Sequence, residues 1–171
     1  MFKRRTAAQK APAMLLTGIL ILASAAFGAQ VLSATQEAAR PYIGAAEKAA
    51  AWIKASAIRS PAGLAWPADP KDPDSVNMTL YAGTPGIVLF FLAAHQATGK
   101  DAYLQDARGG ADSLLAVVPK EKGMGLYEGL SGILFALEET FKATHDLKYR
   151  RGFLDGLKRI REGAVPKGPG V

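Results

Sequence analysis

The sequence predicts an all-α fold built from helical hairpin repeats, and three observations support this prediction. Residues 78–103 (MTLYAGTPGIVLFFLAAHQATGKDAY) and residues 124–149 (MGLYEGLSGILFALEETFKATHDLKY) align without a gap at an offset of 46 residues. Each copy begins a pair of segments with apolar residues at helical spacing. No alternating apolar and polar pattern indicates a strand. Repeats of this period form stacked or ringed units, each of which buries its apolar face against a neighbour.

Residues 1–29 are typical of an export signal. Lys3, Arg4 and Arg5 precede an apolar run over residues 14–22, and small residues that suit signal cleavage follow it. The same segment also holds about the number of apolar residues that a membrane anchor needs. We therefore expect a protein exported to the periplasm or the extracellular space, or alternatively a membrane-anchored one. Contact with a membrane is expected only through residues 1–29, if they stay uncleaved.

Residues 33–58 are predicted to form an N-terminal helical segment, because they are rich in strong helix formers. Pro41 suits a first helical turn and should begin a helix that covers the repeats. Its apolar face is predicted to carry Ile43, Ala46, Ala50, Ile53 and Ala57.

Residues 59–77 contain four prolines and several aspartates, which predicts a Pro/Asp-rich loop. Asp69, Asp72 and Asp74 lack the fixed glycine and the closing glutamate of a calcium loop. We expect these aspartates to be solvated.

The first repeat is assigned to residues 78–117 and the second to residues 118–163. Thr84 is the predicted N-cap of the first helix, with Pro85 next to it and Gly99 at its end. A second helix should run from Asp101 to Val117, and the second repeat should copy this arrangement with Ser131 as the cap. Residues 164–171 cannot continue a helix and are interpreted as a linker to further repeats.

Each repeat contains a Gly-x-x-Gly step before its first helix. The four glycines are Gly83, Gly86, Gly129 and Gly132. No strand precedes these turns, and the lysine and hydroxyl pair of a phosphate loop is missing, so they do not match nucleotide-binding motifs. We interpret them as structural turns that let neighbouring backbones approach closely.

The paired blocks LYAGTPGIVLFFLAAHQATGKDAYL and GLYEGLSGILFALEETFKATHDLKY resemble the first two repeats of the lanthionine synthetase C-like proteins. In that family each inner helix of an α/α toroid follows a G-x-x-G turn. The resemblance implies that this chain forms part of such a toroid, with two hairpins of an incomplete ring.

The resemblance also implies a catalysed reaction, but it does not identify residues of this chain that would carry it out. The family includes zinc-dependent cyclases that add a cysteine thiol of a peptide to a dehydrated serine or threonine, which forms a thioether. Its zinc ligands are two cysteines and a histidine in later repeats, and its catalytic aspartate precedes a third G-x-x-G turn. The present chain has no cysteine, and its second copy has Gly125 where that aspartate would align. The catalytic residues are therefore unknown, no metal ligand is assigned, and zinc is implied only for the complete protein.

Two pairs of side chains have different predicted roles. Tyr81 and Tyr127 match between the repeats, so they could line the centre of a ring or pack on the neighbouring hairpin. His95 and His145 do not match, and we expect them to be packed or solvated and not to bind a metal.

The distribution of charge along the chain limits which classes of binding partner we expect. The basic residues cluster at the two ends of the chain, and the body between them is mildly acidic, which argues against nucleic acid as a partner. A peptide substrate remains as the family expectation. The alternatives are a non-zinc α/α toroid that binds or processes an exported glycan or peptide, and a pseudoenzyme scaffold.

Overall fold

The computed structural model describes residues 41–164, with side chains described through residue 163. The chain divides into two compact units, Met1–Tyr42 and Ile43–Val171, and only two residues of the first unit are described. The described architecture is therefore that of the second unit. The predicted signal segment 1–29, residues 33–40 of the helical segment and the linker beyond residue 164 lie outside the described residues.

The described chain is mostly helical, which confirms the predicted all-α fold. The helices are α1 (residues 41–55), α2 (Thr84–Thr98), α3 (Asp101–Val117), α4 (Leu130–Thr144) and α5 (Leu147–Ala164). Between α1 and α2 lie the strands β1 (Ile58–Ser60) and β2 (Gly63–Ala65) and a 3-10 turn at Pro73–Ser75. In the part of the chain that the structure describes, none of the helices combines the length and the apolar character that a membrane crossing requires.

Helix α1 covers the first repeat as predicted. Ala50 is fully buried and Ile53 packs against the core. The ammonium of Lys54 lies 2.8 Å from the carboxylate of Asp106, which is only 6% exposed, so α1 is also fixed to α3 by a partly buried ion pair. The apolar face predicted from the spacing of residues 43–57 is therefore the face that is turned inward.

The segment predicted as loop contains a short antiparallel β-hairpin, in which Arg59 pairs with Leu64. The loop prediction for this segment did not include these strands, because three-residue strands are too short to show alternation. The β-hairpin packs on α3, where the Ser113 hydroxyl donates to the carbonyl of Leu64 at 2.7 Å. Trp66 follows directly and packs against Phe91 in a tilted arrangement, with ring centroids 5.6 Å apart.

The two helical hairpins lie side by side around one core. Helix α2 packs on α3, α4 packs on α5, and α4 also contacts both α2 and α3. The largest fully buried side chains at these contacts are Trp66, Phe91, Leu114, Leu130, Ile133, Leu137 and Tyr149. The core is thus shared between the repeats, as expected of units that cannot bury their apolar faces alone.

The ends of α2 and α4 confirm one prediction and correct two. Gly99 ends α2 in the left-handed conformation (φ 68°), as predicted, and His145 takes the same conformation at the end of α4 (φ 54°). The predicted N-caps were wrong, because the cap residues are Gly83 and Gly129. The hydroxyl of Thr84 instead accepts the backbone N–H of Trp66 at 3.4 Å.

Ser131 likewise does not cap its helix. Its hydroxyl donates to the carbonyl of Met124 at 2.6 Å and so closes the preceding turn. In both repeats a hydroxyl that could have capped the helix serves a contact with another segment.

Candidate functional site at the helix-starting turns

The two Gly-x-x-Gly turns are joined directly by their backbones. The N–H of Leu80 donates to the carbonyl of Tyr127 at 2.8 Å. Both residues lie shortly before the first glycine of their own turn, so the bond holds the starts of α2 and α4 at the same end of the fold. At this end of the fold, residues that match between the two repeats in sequence also occupy matching positions in the structure.

Each turn is also closed by the same internal contact. The N–H of Thr84 donates to the carbonyl of Asn77 at 3.1 Å, and the N–H of Leu130 donates to the carbonyl of Gly123 at 2.8 Å. The two donors are 46 residues apart in the sequence, and so are the two acceptors. These bonds satisfy an N–H group at each helix start that would otherwise lack a partner, since the first turn of a helix has no intrahelical acceptor.

The second glycine of each turn is required by a close backbone approach. A Cβ atom at Gly86 would lie 2.5 Å from the carbonyl oxygen of Leu80. At Gly132 it would meet the oxygen of Leu126 even more closely, and the Cβ of Leu80 at 3.0 Å. The interpretation of these glycines as packing positions therefore has a direct physical cause in both repeats, and no ligand is needed to explain them.

Tyr81 and Tyr127 are the most prominent side chains at this end. Tyr81 is 88% exposed and Tyr127 is 65% exposed. Neither ring is covered by the neighbouring hairpin. The described residues therefore do not show the alternative in which the two tyrosines pack on that hairpin. Two exposed aromatic side chains beside a common backbone contact form a surface that can stack on, or hydrogen-bond to, a ligand.

The comparison with protein families concerns the same part of the chain. A sequence model of the family described as lanthionine synthetase C-like protein matches residues 74–165, which is more than half of the chain. The chain belongs to the lanthionine synthetase C-like family. Searches of curated proteins and of solved structures found no match.

The match covers every part of the lanthionine synthetase C-like repeat that the structure describes. It begins at the 3-10 turn, includes both Gly-x-x-Gly turns and ends with α5. Helix α1 and the β-hairpin precede the matched residues.

The zinc site that the lanthionine synthetase C-like resemblance implies does not fit the residues of this chain. A site of two cysteines and one histidine cannot be formed, because the chain has no cysteine. Among residues 41–164 there is also no group of three His, Cys, Asp or Glu side chains that could hold a metal ion. No chemistry that depends on zinc is assigned to this chain.

The two histidines of this lanthionine synthetase C-like chain lie at the C-terminal ends of α2 and α4, whereas the turns lie at the starts of these helices. His95 lies near the end of α2, where its Nδ1 is 3.2 Å from the carbonyl of Lys100, beside a cleft of about 480 Å³ between α2 and α4. His145 forms the left-handed end of α4, at the position that Gly99 takes in the first repeat. The structure does not bring the two histidines into one site with a third ligand.

Two adjacent glutamates on α4 are each paired with a basic side chain. Glu138 accepts from Arg150 at 2.8 Å, and Glu139 accepts from Lys142 at 2.7 Å. In the 59–77 segment Asp69 and Asp72 accept backbone N–H groups two residues further along, which is the usual role of aspartate in tight turns. These contacts explain the aspartates without a bound calcium ion.

Sequence reasoning missed a partly buried polar cluster between α3 and α5. The hydroxyl of the fully buried Tyr149 donates to Asp112 at 3.0 Å and approaches the carbonyl of Arg108 at 3.3 Å. Burial, and then the charge of Asp112 and the hydrogen bond to it, raise the pKa of Tyr149 well above its usual value. The alignment of Tyr103 with Tyr149 indicated a shared position, but a contact over 37 residues could not be read from the sequence.

Proposed function

We propose that this chain forms the first two hairpins of an exported lanthionine synthetase C-like protein, and that its turn surface contacts a peptide substrate. The turn surface consists of Tyr81, Tyr127 and the two Gly-x-x-Gly turns. The observation that carries the proposal is the bond between Leu80 and Tyr127, which fixes two exposed tyrosines at one end of adjacent inner helices.

The chemical role that we propose for these residues is binding. Tyrosine supplies a large rigid surface and one hydroxyl, and loses little conformational entropy when it orders against a peptide. The chain offers no thiolate, and its described residues offer no metal site, so the acid and base steps of thioether formation are not assigned to it. In a complete protein with cyclase activity, we propose that other repeats supply the zinc ligands.

The proposed export follows from the sequence alone. The basic start and the apolar run of residues 1–29 would direct the chain out of the cytoplasm or anchor it in the membrane. Expression with the native N-terminus, followed by cell fractionation and mass measurement of the product, decides between cleavage and anchoring.

A second candidate is a non-zinc ring that binds a peptide or glycan, or a pseudoenzyme scaffold. The two exposed tyrosines favour it, because an aromatic ring can stack on a sugar or a peptide without any metal. In this candidate the turn surface has the same contacts with the ligand but no thioether is formed.

Peptide binding tests the first part of the proposal. The probe is a fluorescently labelled linear peptide with one cysteine and one dehydroalanine, titrated by fluorescence anisotropy. Replacing both tyrosines in Y81A/Y127A should weaken binding by at least about tenfold, because exposed tyrosines at interfaces commonly contribute more than about 1 kcal/mol each. Trp52→Ala removes a comparably exposed aromatic (62%) on α1 and should leave binding unchanged.

Equal affinity of the double variant and the parent protein would refute a binding role for the turn surface. Thioether formation separates the two candidates. Only a protein with cyclase activity should consume the free thiol of the peptide faster than the peptide cyclises on its own.

A further inference from the structure

Glu128 is an exposed carboxylate within the turn surface, between Tyr127 and the first glycine of the second turn. Among residues 41–163 it forms no side-chain hydrogen bond and no ion pair, whereas every other glutamate in this range has a partner. The structure thus assigns no contact within the fold to this side chain.

The backbone holds Glu128 beside both exposed tyrosines. The carbonyl of Tyr127 accepts the N–H of Leu80 at 2.8 Å. Glu128 directly follows the acceptor residue, and Tyr81 directly follows the donor residue. The carboxylate and the two phenol rings are therefore carried by chain positions at or next to a single hydrogen bond.

A second carboxylate adds negative charge at the same turn. Oε1 of Glu121 accepts the N–H of Gly123 at 2.7 Å. A Cβ atom at Gly123 would lie 3.3 Å from that oxygen and 3.0 Å from the carbonyl oxygen of Glu128, so the Glu121 carboxylate is held close to the Glu128 backbone. Arg159 of α5 donates to the carbonyls of Val118 and Glu121 and forms no ion pair with either carboxylate.

The acidic side chains distinguish the second turn from the first. At an offset of 46 residues Glu121 and Glu128 correspond to Ser75 and Ala82, which carry no charge. The tyrosines, in contrast, match between the repeats. A ligand that contacts both turns would therefore meet an aromatic ring at each turn and these carboxylates only at the second.

A carboxylate beside an aromatic ring suits one class of ligand group. The ammonium of lysine and the guanidinium of arginine are attracted to the face of a tyrosine ring and pair with carboxylates. Their apolar stems can also lie along an aromatic surface while the charged end stays in water. An acidic ligand group would instead be repelled by Glu121 and Glu128.

We propose that the turn surface recognises a lysine or arginine side chain of a peptide, with the Glu128 carboxylate and the ring of Tyr127 as its contacts. This inference rests on the peptide-binding role proposed above, and it names the class of peptide that the surface takes.

Fluorescence anisotropy with three labelled peptides tests the proposal on the full chain. The peptides share one uncharged sequence and carry lysine, norleucine or glutamate at the centre. The lysine peptide should bind about fivefold or more tighter than the norleucine peptide, which corresponds to about 1 kcal/mol. The glutamate peptide should bind most weakly. The preference for lysine should shrink in roughly 1 M salt, where the Debye length is about 3 Å.

Two substitutions of Glu128 assign the preference to its carboxylate. Glu128→Gln keeps the size of the side chain and should bind the lysine and norleucine peptides equally. Glu128→Lys should reverse the order and favour the glutamate peptide. A reversal would not be expected if Glu128 only stabilised the start of α4 through the helix dipole.

Asp155→Asn is the matched control. Asp155 is an exposed carboxylate on α5 that forms no ion pair among the described residues. This variant should keep the full preference for lysine.

The outcomes separate this inference from the proposed binding role. If binding depends on the two tyrosines but the parent protein does not distinguish lysine from norleucine, this inference is wrong and the binding role stands. A lysine preference that persists in E128Q would also overturn it, because the recognising carboxylate would then lie elsewhere. Failure of all three peptides to bind would refute both proposals.

Discussion

Gly132→Ala tests the physical explanation of the Gly-x-x-Gly turns most directly. The added Cβ would lie far inside contact distance of the Leu126 carbonyl oxygen and 3.0 Å from the Cβ of Leu80. The first neighbour is backbone, which cannot rotate away like the end of a long side chain. The second belongs to the residue whose N–H joins the two repeats, so relief in that direction would disturb the Leu80–Tyr127 bond.

The expected cost follows from these contacts. Forcing an extra carbon into a packed site typically destabilises a protein by about 1–3 kcal/mol, and a backbone neighbour on one side places this variant at about 2–3 kcal/mol. Some of this cost would be offset, because alanine is favoured over glycine in a helix by up to about 1 kcal/mol. A net loss of about 2 kcal/mol would lower Tm by roughly 8 °C in a domain of this size.

The assay is chemical and thermal unfolding followed by circular dichroism, with two matched glycine variants. Gly125→Ala lies in the same turn and Gly44→Ala lies in α1, and nothing lies within 4 Å of a Cβ atom at either position. Gly125→Ala should change stability by less than about 0.5 kcal/mol. Gly44→Ala should stabilise the protein by about 0.5–1 kcal/mol, because it replaces glycine inside a helix.

The reasoning would be wrong if Gly132→Ala were as stable as Gly125→Ala. In that case the turn could move away from the helix without loss, and close approach would not explain the second glycine.

Three further predictions concern contacts between segments. His145→Gly should stabilise the protein by about 1 kcal/mol in urea unfolding, because it removes a non-glycine residue from the left-handed conformation; a less stable variant would show that the edge contact with Phe141 outweighs this strain. Lys54→Met should destabilise the protein by about 1–2 kcal/mol, because it leaves the buried carboxylate of Asp106 without its partner. Lys100→Met breaks an exposed ion pair and should have little effect on stability. Equal effects of the two variants would contradict the role of burial. Tyr149→Phe should cost about 1 kcal/mol at neutral pH, through the lost hydrogen bond to Asp112. The pKa of Tyr149 is raised in the folded state, so the contribution of its neutral hydroxyl to stability is complete below pH ~10. This contribution is lost above that pH as the tyrosine of the unfolded chain ionises, and the stability difference between the parent protein and Y149F should therefore shrink between about pH 10 and 12. A difference that does not change over this range would refute the raised pKa.

The helices could be predicted from the sequence because their signals are local. Gly99 lies directly at the end of α2, which it specifies. The predicted Asp101–Val117 helix has the observed bounds. The repeat offset placed the second hairpin in the same way. These features depend on residues a few positions apart, and the pattern of apolar residues reports them reliably.

The features that were missed depend on distant partners. Thr84 has the chemistry of an N-cap, but its hydroxyl accepts the N–H of Trp66, which is 18 residues away. Local propensity disfavours a glycine inside a helix such as α3. A Cβ at Gly110, however, would meet Val88 at 2.5 Å and the ring of Trp66 at 2.9 Å, so the helix needs a small residue at this place. Such contacts exist only once the chain has folded, and local propensity does not contain them.

The candidate site likewise combines features that the sequence predicts with features that it does not. Its four glycines and two tyrosines were identified from the repeat, because each pair occupies matching positions in two copies. Their exposure and the bond between the turns could not be inferred, since both depend on how the hairpins sit against each other.

The bond between Leu80 and Tyr127 has a consequence for how this surface can change. It is made by main-chain atoms only, so the alignment of the two hairpins does not depend on the aromatic ring of Tyr127. Either tyrosine can be replaced by a residue of different size or charge while the turns stay in register. The alignment of the two hairpins and the chemistry of the exposed turn surface are therefore separable properties of this fold, and the two tyrosine positions can be varied without redesigning the framework that presents them.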